Sequence, residues 1–159
     1  MLIGLDPLLN GDALAVLRDM GHGDSVVLAD ANFPAHYLGP PAIRIDADAV
    51  RVGRAVLSVM PLDGFVDAPV RRMEADGRKE LNDAHRDFAA MVEDVAGSWV
   101  MGSIERFRFY EEARGCVAVF ATQEMRPYAN FILTKGVIAP DGSVVRPERP
   151  VRRPKGLRP

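Results

Sequence analysis

The chain has 159 residues, of which 48% are hydrophobic, 26% charged and 7% aromatic. This length predicts one compact core, and this composition excludes a disordered or fibrous protein. Cys116 is the single cysteine, which excludes an intrachain disulfide and a thiolate-rich metal site. We find no apolar run of the roughly 18 residues that a membrane helix needs. The acidic N-terminal segment does not resemble a secretory signal, so we expect a cytoplasmic protein without a membrane partner.

Charge is distributed unevenly along the chain. Residues 140–159 hold six basic and two acidic residues with five prolines, whereas residues 1–139 hold fourteen basic and twenty acidic residues. We therefore divide the chain into a domain over 1–139 and a basic, Pro-rich extension over 140–159. The acidic body argues against nucleic-acid binding by the domain. The extension is interpreted as a solvated or packed arm, which could lie across a neighbouring subunit, or alternatively as a phosphate- or nucleic-acid-binding segment.

Repeated changes of hydrophobic period along the chain predict an α/β fold. In its first half the predicted elements are a helix with its apolar positions over 9–20, strands over 25–30 and 42–45, and a helix with its apolar stripe over 52–59. Asn10 is placed to cap the first helix and Gly21 to end it. Asp46 or Asp48 is placed to cap the second helix, which Pro61 would close.

The second half of the chain continues the same alternation. Its predicted elements are a helix over 84–95, a short helix over 105–114, and strands over 116–122 and 130–136. Gly97 and Gly115 are placed to end the two helices. His85, near the start of the third helix, is expected to be solvated and to have no role.

Chemistry-bearing residues concentrate around the strand predicted over 25–30. His22 lies between Gly21 and Gly23, on backbone that can take positive φ and come close to a ligand. A histidine there can donate or accept a proton near neutral pH, or it can bond a local carbonyl as an ordinary turn residue. Asp30 follows the strand at its carboxyl end, where ligands gather in open α/β sheets, although it could also cap the following turn.

His36 is the second histidine of this segment, and it is either a further site residue or a packed imidazole. His22 and His36 lie 14 residues apart, without the close HxH or HExxH spacing of a metal site. We therefore expect no bound metal.

Four blocks of this sequence occur in the same order in a known family: GHGD at 21–24, LADANFPAH at 28–36, ERFRFYEEA at 105–113 and YANFILTKG at 128–136. Through them the chain resembles the RbsD/FucU sugar pyranase and mutarotase family, closest to its L-fucose mutarotase branch, from about Leu5 to Val137. The resemblance implies a single α/β domain with a mixed sheet flanked by helices, assembled into rings that often stack as a decamer. It also implies a cofactor-independent enzyme that interconverts cyclic forms of a free monosaccharide.

The resemblance further implies roles for eight residues. His22 and Tyr110 match the family's proton-transfer groups. The residues that match its sugar contacts are Asp30, Asp63, Arg106, Tyr128, Ala129 and Asn130, with Ala129 acting through its backbone. Asn32 stands where close L-fucose mutarotases often have histidine, so L-fucose, D-ribose and related sugars remain open as substrates.

The residues by themselves also permit simpler interpretations. Tyr110 falls in an amphipathic helix with Phe107 and Phe109, which is typical of a core or interface residue. Arg106 could be a surface ion-pair partner of Glu105 or Glu111.

Opening a sugar ring requires one group that removes the proton of the anomeric hydroxyl and another that protonates the ring oxygen. His22 and Tyr110 can fill these roles, or a water held by Asp30 can complete the relay. The alternative function is a non-catalytic monosaccharide-binding or regulatory protein of a sugar-uptake pathway. The presence of both proton-transfer groups favours catalysis.

Overall fold

The computed structural model describes residues 2–146, so the extension predicted over 140–159 lies outside the described residues from position 147 onward. Ten elements follow one another in the described chain: α1 (Gly11–Asp19), β1 (Ser25–Ala29), β2 (Ala42–Arg44), α2 (Ala49–Leu57), β3 (Val70–Met73), α3 (Asp83–Ala96), β4 (Met101–Ile104), α4 (Arg106–Arg114), β5 (Ala118–Ala121) and β6 (Phe131–Thr134). Within residues 2–146 no helix has the length and apolar character needed to cross a membrane.

The six strands form one mixed sheet in the order β2-β5-β1-β6-β3-β4. β6 runs antiparallel to its neighbours β1 and β3, and the remaining pairs are parallel. The carboxyl ends of five strands therefore meet the amino end of β6 at one end of the sheet. We call this the carboxyl end, and the opposite one the amino end.

Helices cover both faces of the sheet, as the family resemblance predicts. β1 turns Val26 and Leu28 toward a core under α1, α2 and α3, and it turns Val27 and Ala29 toward a second core under α4. All four side chains are fully buried. This double burial explains why β1 is a continuous apolar run rather than an alternating one.

The four helices and four strands predicted from the sequence are all present, with different ends. Asn10 and Asp48 cap α1 and α2 by accepting backbone N–H bonds. The second helix ends at Leu57, ahead of Pro61, and β1 ends one residue before Asp30. Gly97 caps α3 with a φ of +81°.

Two strands, β3 and β4, were not predicted. β3 carries Arg71 and Arg72 at its centre, and β4 carries Gly102 and Ser103, so neither shows an apolar run. Arg72 is nevertheless buried at 3% exposure, and its guanidinium donates to the carbonyl of Lys79. β3 pairs with β6, and β4 pairs with β3 on its other side. These segments are therefore strands because of their partners and not because of their local sequence.

The expectation that His85 is solvated is wrong. Its side chain is fully buried in the first turn of α3. Nδ1 lies 3.3 Å from the backbone nitrogen of Asn82, and Nε2 lies 2.9 Å from the carbonyl oxygen of Tyr128. The helical pattern did not reveal this burial, because the segment that covers the turn comes from more than forty residues further along the chain.

The segment after β6 folds back on the body. Ile138 and Val144 form an isolated antiparallel bridge. The guanidinium carbon of Arg146 lies 4.0 Å from the centroid of the Trp99 ring, and the same group donates to the carbonyl of Ala96 at the end of α3. Trp99 Nε1 donates to the same carbonyl, so two side chains satisfy a group that the helix leaves unpaired at its end.

Candidate active site

The eight residues singled out by the family resemblance fall into two groups at opposite ends of the sheet. The group at the carboxyl end comprises Asp30, Arg106, Tyr110, Tyr128, Ala129 and Asn130, and the group at the amino end comprises His22 and Asp63. β1 separates the groups, because His22 precedes this strand and Asp30 follows it. At about 3.3 Å per residue, the path from Ser25 to Asp30 alone spans about 17 Å. One chain therefore does not bring His22 to the other group.

Asp30 and Asn130 form a buried pair at the carboxyl end. Asn130 Oδ1 accepts the backbone N–H of Asp30, and Asn130 Nδ2 donates to Asp30 Oδ2, both at 2.8 Å. Asp30 Oδ1 accepts the N–H of Asn32 at 3.0 Å. Burial raises the pKa of Asp30, and these hydrogen bonds oppose the rise because they favour the carboxylate.

A cavity of about 160 Å³ lies over this pair. The polar side chains that line it are Asp30, Asn32, Arg106, Tyr110, Tyr128 and Asn130. Phe33 and Met73 add apolar surface to the same wall. Ala129 is fully buried in the core, so its side chain does not line the cavity. Hydroxyl-binding groups beside apolar surface suit a small ligand that carries both hydroxyls and C–H bonds.

Helix α4 delivers two of these side chains to the cavity. Arg106 and Tyr110 are four residues apart, which places them on one helix face. Glu105 starts the helix, because its carboxylate accepts backbone N–H bonds of the first turn. Tyr110 is half-buried and packs against Phe33, with ring centroids 5.5 Å apart.

The aromatic and basic side chains of α4 differ in burial and in their partners. Phe109 is the fully buried aromatic residue of the helix, whereas Phe107 is exposed. Tyr110 packs against the core and also lines the cavity. Within residues 2–146, Arg106 forms no ion pair with Glu105 or Glu111. Its guanidinium carbon lies 4.7 Å from the centroid of the Phe107 ring.

Tyr128 forms the rim of the cavity in a strained conformation. Its φ is +62°, in the left-handed region that non-glycine residues rarely adopt. The hydroxyl donates to Asp76 Oδ1 at 2.5 Å, and this bond raises the pKa of Tyr128 because it holds the phenolic proton. Asp76 has a φ of +52°. Two strained residues therefore hold each other at the mouth of the cavity, as occurs at ligand-binding sites.

A second cavity of about 500 Å³ adjoins the first, and Asp30 and Phe33 line both. His36, Arg44 and Gln123 contribute polar groups to it. His36 is exposed, so the alternative of a packed imidazole is wrong.

At the amino end, His22 stands on a tight turn. Asp24 Oδ2 accepts the N–H of Gly21 at 2.7 Å and closes the turn. Gly23 has a φ of +87°, and its N–H donates to the carbonyl of Lys135 beyond the end of β6. The GHGD pattern thus builds a turn that holds the imidazole half-exposed, at 49% of its side-chain surface.

Asp63 is the partner of His22. His22 Nε2 lies 3.1 Å from Asp63 Oδ1, which also accepts the N–H of Phe65 at 2.9 Å. The Asp63 side chain is only 2% exposed. Asp63 can take this position only because residue 136 is a glycine. A Cβ on residue 136 would overlap the carbonyl of Leu62, which precedes Asp63. A buried carboxylate at this position orients the imidazole and leaves Nδ1 open to a ligand.

Sequence reasoning missed two residues that contact the rim residue Tyr128: Asp76 accepts from its hydroxyl, and His85 Nε2 lies against its carbonyl. The Asp76-Gly77 dipeptide is a turn signal that could have located the loop but not its bond to Tyr128. In the part of the chain from 2 to 146, no three His, Cys, Asp or Glu side chains are grouped to hold a metal ion.

Comparison with known proteins shows where this architecture occurs. The model of the RbsD / FucU transport protein family matches residues 3–138. The chain is 39% identical over 142 residues to the L-fucose mutarotase of Glaesserella parasuis serovar 5, covering 86% of this chain and 96% of that protein. It is 39% identical over 146 residues to the fucose mutarotase of Homo sapiens, covering 87% and 95%. The crystal structure of the fucose mutarotase from Streptococcus pneumoniae in complex with L-fucose matches with a TM-score of 0.81 at 33% identity, covering 87% of this chain and all of that one.

Proposed function

Because the chain belongs to the RbsD/FucU transport protein family, we propose that it interconverts the anomers of a free monosaccharide, L-fucose or a closely related sugar, without a cofactor. One observation carries this proposal. The cavity at the carboxyl end brings Asp30, Arg106 and Tyr110 together in a chain that aligns over 86% of its length with an L-fucose mutarotase.

The reaction consists of two proton transfers and one bond cleavage, followed by their reversal. The anomeric hydroxyl loses its proton, the bond between C1 and the ring oxygen breaks, and the ring oxygen gains a proton. C1 is then an aldehyde carbon, and rotation about C1–C2 presents its other face. Ring closure returns both protons, so the sugar is neither oxidised nor reduced. A positioned acid and a positioned base accelerate both directions.

The residues at the carboxyl end bind the sugar. The Asp30 carboxylate accepts hydroxyl protons, and the Arg106 guanidinium donates to hydroxyl oxygens. Asn130 is occupied by Asp30, so we assign it the task of holding that carboxylate in place. Tyr128 closes over the sugar from the rim, and the Tyr110 phenol serves as one proton-transfer group.

His22 is assigned the second proton transfer. Its half-exposed imidazole can reach a ligand, and its bond to Asp63 stabilises the imidazolium that forms when it takes a proton. Asp63 matches a sugar contact by resemblance, but its near-complete burial behind His22 favours an orienting role instead.

The separation of His22 from the cavity supports a site completed by two copies of the chain. In this arrangement His22 at the amino end of one copy enters the cavity at the carboxyl end of the next. Such a contact joins different surfaces, and contacts of this kind form a ring when the rotation between successive copies closes on itself. Each of the two surfaces has an exposed apolar side chain that this contact would cover. Phe65 lies beside His22, and Met125 lies on the second cavity. The proposal therefore includes a ring-shaped homo-oligomer, with a decamer of two stacked rings as its expected form.

Saturation-transfer NMR tests the activity directly, because it measures exchange between the two anomeric protons of a free sugar. We expect accelerated exchange of L-fucose at neutral pH, and a comparison with D-ribose and D-galactose identifies the preferred sugar. Exchange between pyranose and furanose signals of D-ribose tests whether ring size also changes. Binding without accelerated exchange would favour the non-catalytic alternative. The proposal would be contradicted if the protein neither bound any of these sugars nor accelerated their exchange.

A further inference from the structure

We propose that His85 is a positioning residue for the sugar cavity, and that the first turn of α3 is the platform on which the cavity rim is held. This inference rests on the proposed function, since it concerns the geometry of the same cavity. His85 itself does not line that cavity and is fully buried.

Three consecutive residues of the rim segment are tied to the beginning of α3. The contacts are Arg126 Nη1 to Asp87 Oδ2 at 2.6 Å, Asn82 Nδ2 to the Pro127 carbonyl at 3.3 Å, and His85 Nε2 to the Tyr128 carbonyl at 2.9 Å. The first two are exposed, whereas His85 is shielded from water. A buried hydrogen bond costs more to lose than an exposed one, so His85 dominates this attachment.

The hydrogen bonds of His85 determine its tautomer. Nδ1 faces the backbone N–H of Asn82 and must accept, so Nε2 carries the proton and donates to the Tyr128 carbonyl. Protonation would place a second N–H against the N–H of Asn82. Burial lowers the pKa of His85, and the positive charges of Arg72 on β3 and Arg86 on α3 lower it further, so all three disfavour the imidazolium. The neutral imidazole therefore meets every hydrogen-bonding requirement of this position.

Tyr128 needs this support because its backbone is strained. A positive φ at a tyrosine persists only where the surroundings enforce it. His85 holds its carbonyl and Asp76 holds its hydroxyl, while its backbone N–H lies near the Asp30 carboxylate and favours the ionised form of that group. Asn130 follows two residues later and clamps the same carboxylate. A shift at Tyr128 would therefore move both the rim and the floor of the cavity.

Three variants separate positioning from helix stability. His85→Leu removes both hydrogen bonds. His85→Gln preserves them, because a glutamine at this helix position accepts the N–H of the cap residue and its amide can donate to Tyr128. Val92→Ala is the matched control, since Val92 is a buried α3 residue remote from the rim and its truncation lowers stability alone.

For L-fucose, we expect His85→Leu to raise KM about tenfold with kcat changed only a few-fold. His85→Gln should stay within about threefold of the wild type, and Val92→Ala should leave KM unchanged. An unchanged KM in His85→Leu, or an equal rise in Val92→Ala, would overturn the proposal.

A readout without sugar distinguishes this inference from the proposed function. The backbone amide of Tyr128, which lies near the Asp30 carboxylate, should exchange with solvent at least about tenfold faster in His85→Leu than in Val92→Ala. Nitrogen-15 NMR of the wild type should show His85 with its proton on Nε2. If the wild type accelerates no sugar exchange, the proposed function fails, yet these measurements still decide the role of His85. Equal Tyr128 exchange in the two variants, or a proton on Nδ1, would refute that role even in an active enzyme.

Discussion

The two proton-transfer candidates differ in what surrounds each side chain. His22 is half-exposed and tied to a buried carboxylate, whereas Tyr110 is packed against Phe33 with its ring on the cavity wall. Asp30 is buried, and its side chain is hydrogen-bonded to Asn32 and Asn130. Among the described residues 2–146 it forms no hydrogen bond with His22 or Tyr110. Substitutions that remove single functional groups can therefore separate proton transfer from sugar binding.

His22→Ala should lower turnover by roughly 10²- to 10⁴-fold and change sugar affinity only a few-fold, because an acid–base group acts in the transition state. Asp63→Asn should also lower turnover, since it weakens the orientation of the imidazole. Asp67→Asn is the matched control, because Asp67 is an exposed carboxylate of the same loop. It should leave turnover unchanged. Anomer-exchange rates over a range of L-fucose concentrations give kcat and KM, and wild-type kcat in His22→Ala would refute the assignment.

Tyr110→Phe deletes one hydroxyl and keeps the ring against Phe33. If the phenol transfers a proton, exchange falls while the thermal unfolding temperature stays near that of the wild type. Tyr37→Phe makes the same chemical change at an exposed tyrosine and should alter neither quantity. Unchanged exchange in Tyr110→Phe would leave Tyr110 as a packing residue only.

Asp30 should make stability depend on pH. Burial raises its pKa above the usual value near 3.8, so the native state holds this proton at a pH where the unfolded state has released it. The free energy of unfolding therefore falls as pH rises through this range and does not recover above it. Relative to Asp30→Asn, the wild type should gain stability as pH falls from about 7 toward about 4. Urea unfolding at several pH values measures the difference, and a constant difference would contradict the prediction.

Among the elements, the connection after β6 depends on a close backbone approach that only glycine permits. A Cβ at Gly136 would overlap the Leu62 carbonyl and displace Asp63 next to it. Gly136→Ala should therefore lower the free energy of unfolding by about 1–3 kcal/mol and reduce turnover through the shifted Asp63. Gly11→Ala is the control, because nothing lies within 4 Å of its added Cβ at the start of α1. Chemical denaturation of both proteins checks this, and equal stabilities would contradict it.

Elements with strong local patterns could be predicted from the sequence, and elements made by their neighbours could not. α1 carries its cap in Asn10, and β1 is an unbroken apolar run. β3 and β4 lack such signals and exist because β6 offers β3 a partner. The position of Asp30 after β1 indicated the carboxyl end of the sheet, where ligands gather in open α/β sheets, and the polar-lined cavity lies there. The order of residues along the chain also places His22 before β1, at the opposite end of the sheet from Asp30. The resemblance assigned both residues to one site without showing that the length of β1 separates them.

At the scale of the whole molecule, this division predicts the assembly. A site that takes His22 from one copy and the cavity from another cannot function as a monomer. Light scattering at micromolar concentration should therefore give a particle several times the mass of one chain. A particle of 17.4 kDa that still accelerates exchange would contradict a shared site.

Mixing two inactive variants provides the sharpest test of the shared site. His22→Ala lacks the proton-transfer group but keeps the cavity, and Asp30→Asn lacks the cavity carboxylate but keeps His22. If the copies are dissociated, mixed in equal amounts and reassembled, about a quarter of the sites should pair an intact His22 with an intact Asp30. Anomer exchange should then rise from near zero to about a quarter of the wild-type rate.

The controls for this experiment follow from the same geometry. Each variant dissociated and reassembled alone should remain inactive, and wild type treated in the same way should recover full exchange. The double variant His22→Ala/Asp30→Asn mixed with wild type should leave the same quarter of sites intact, because every site draws on two independent copies. If both residues acted within one copy, the two single variants would never complement each other, and the double variant mixed with wild type would retain about half of the activity.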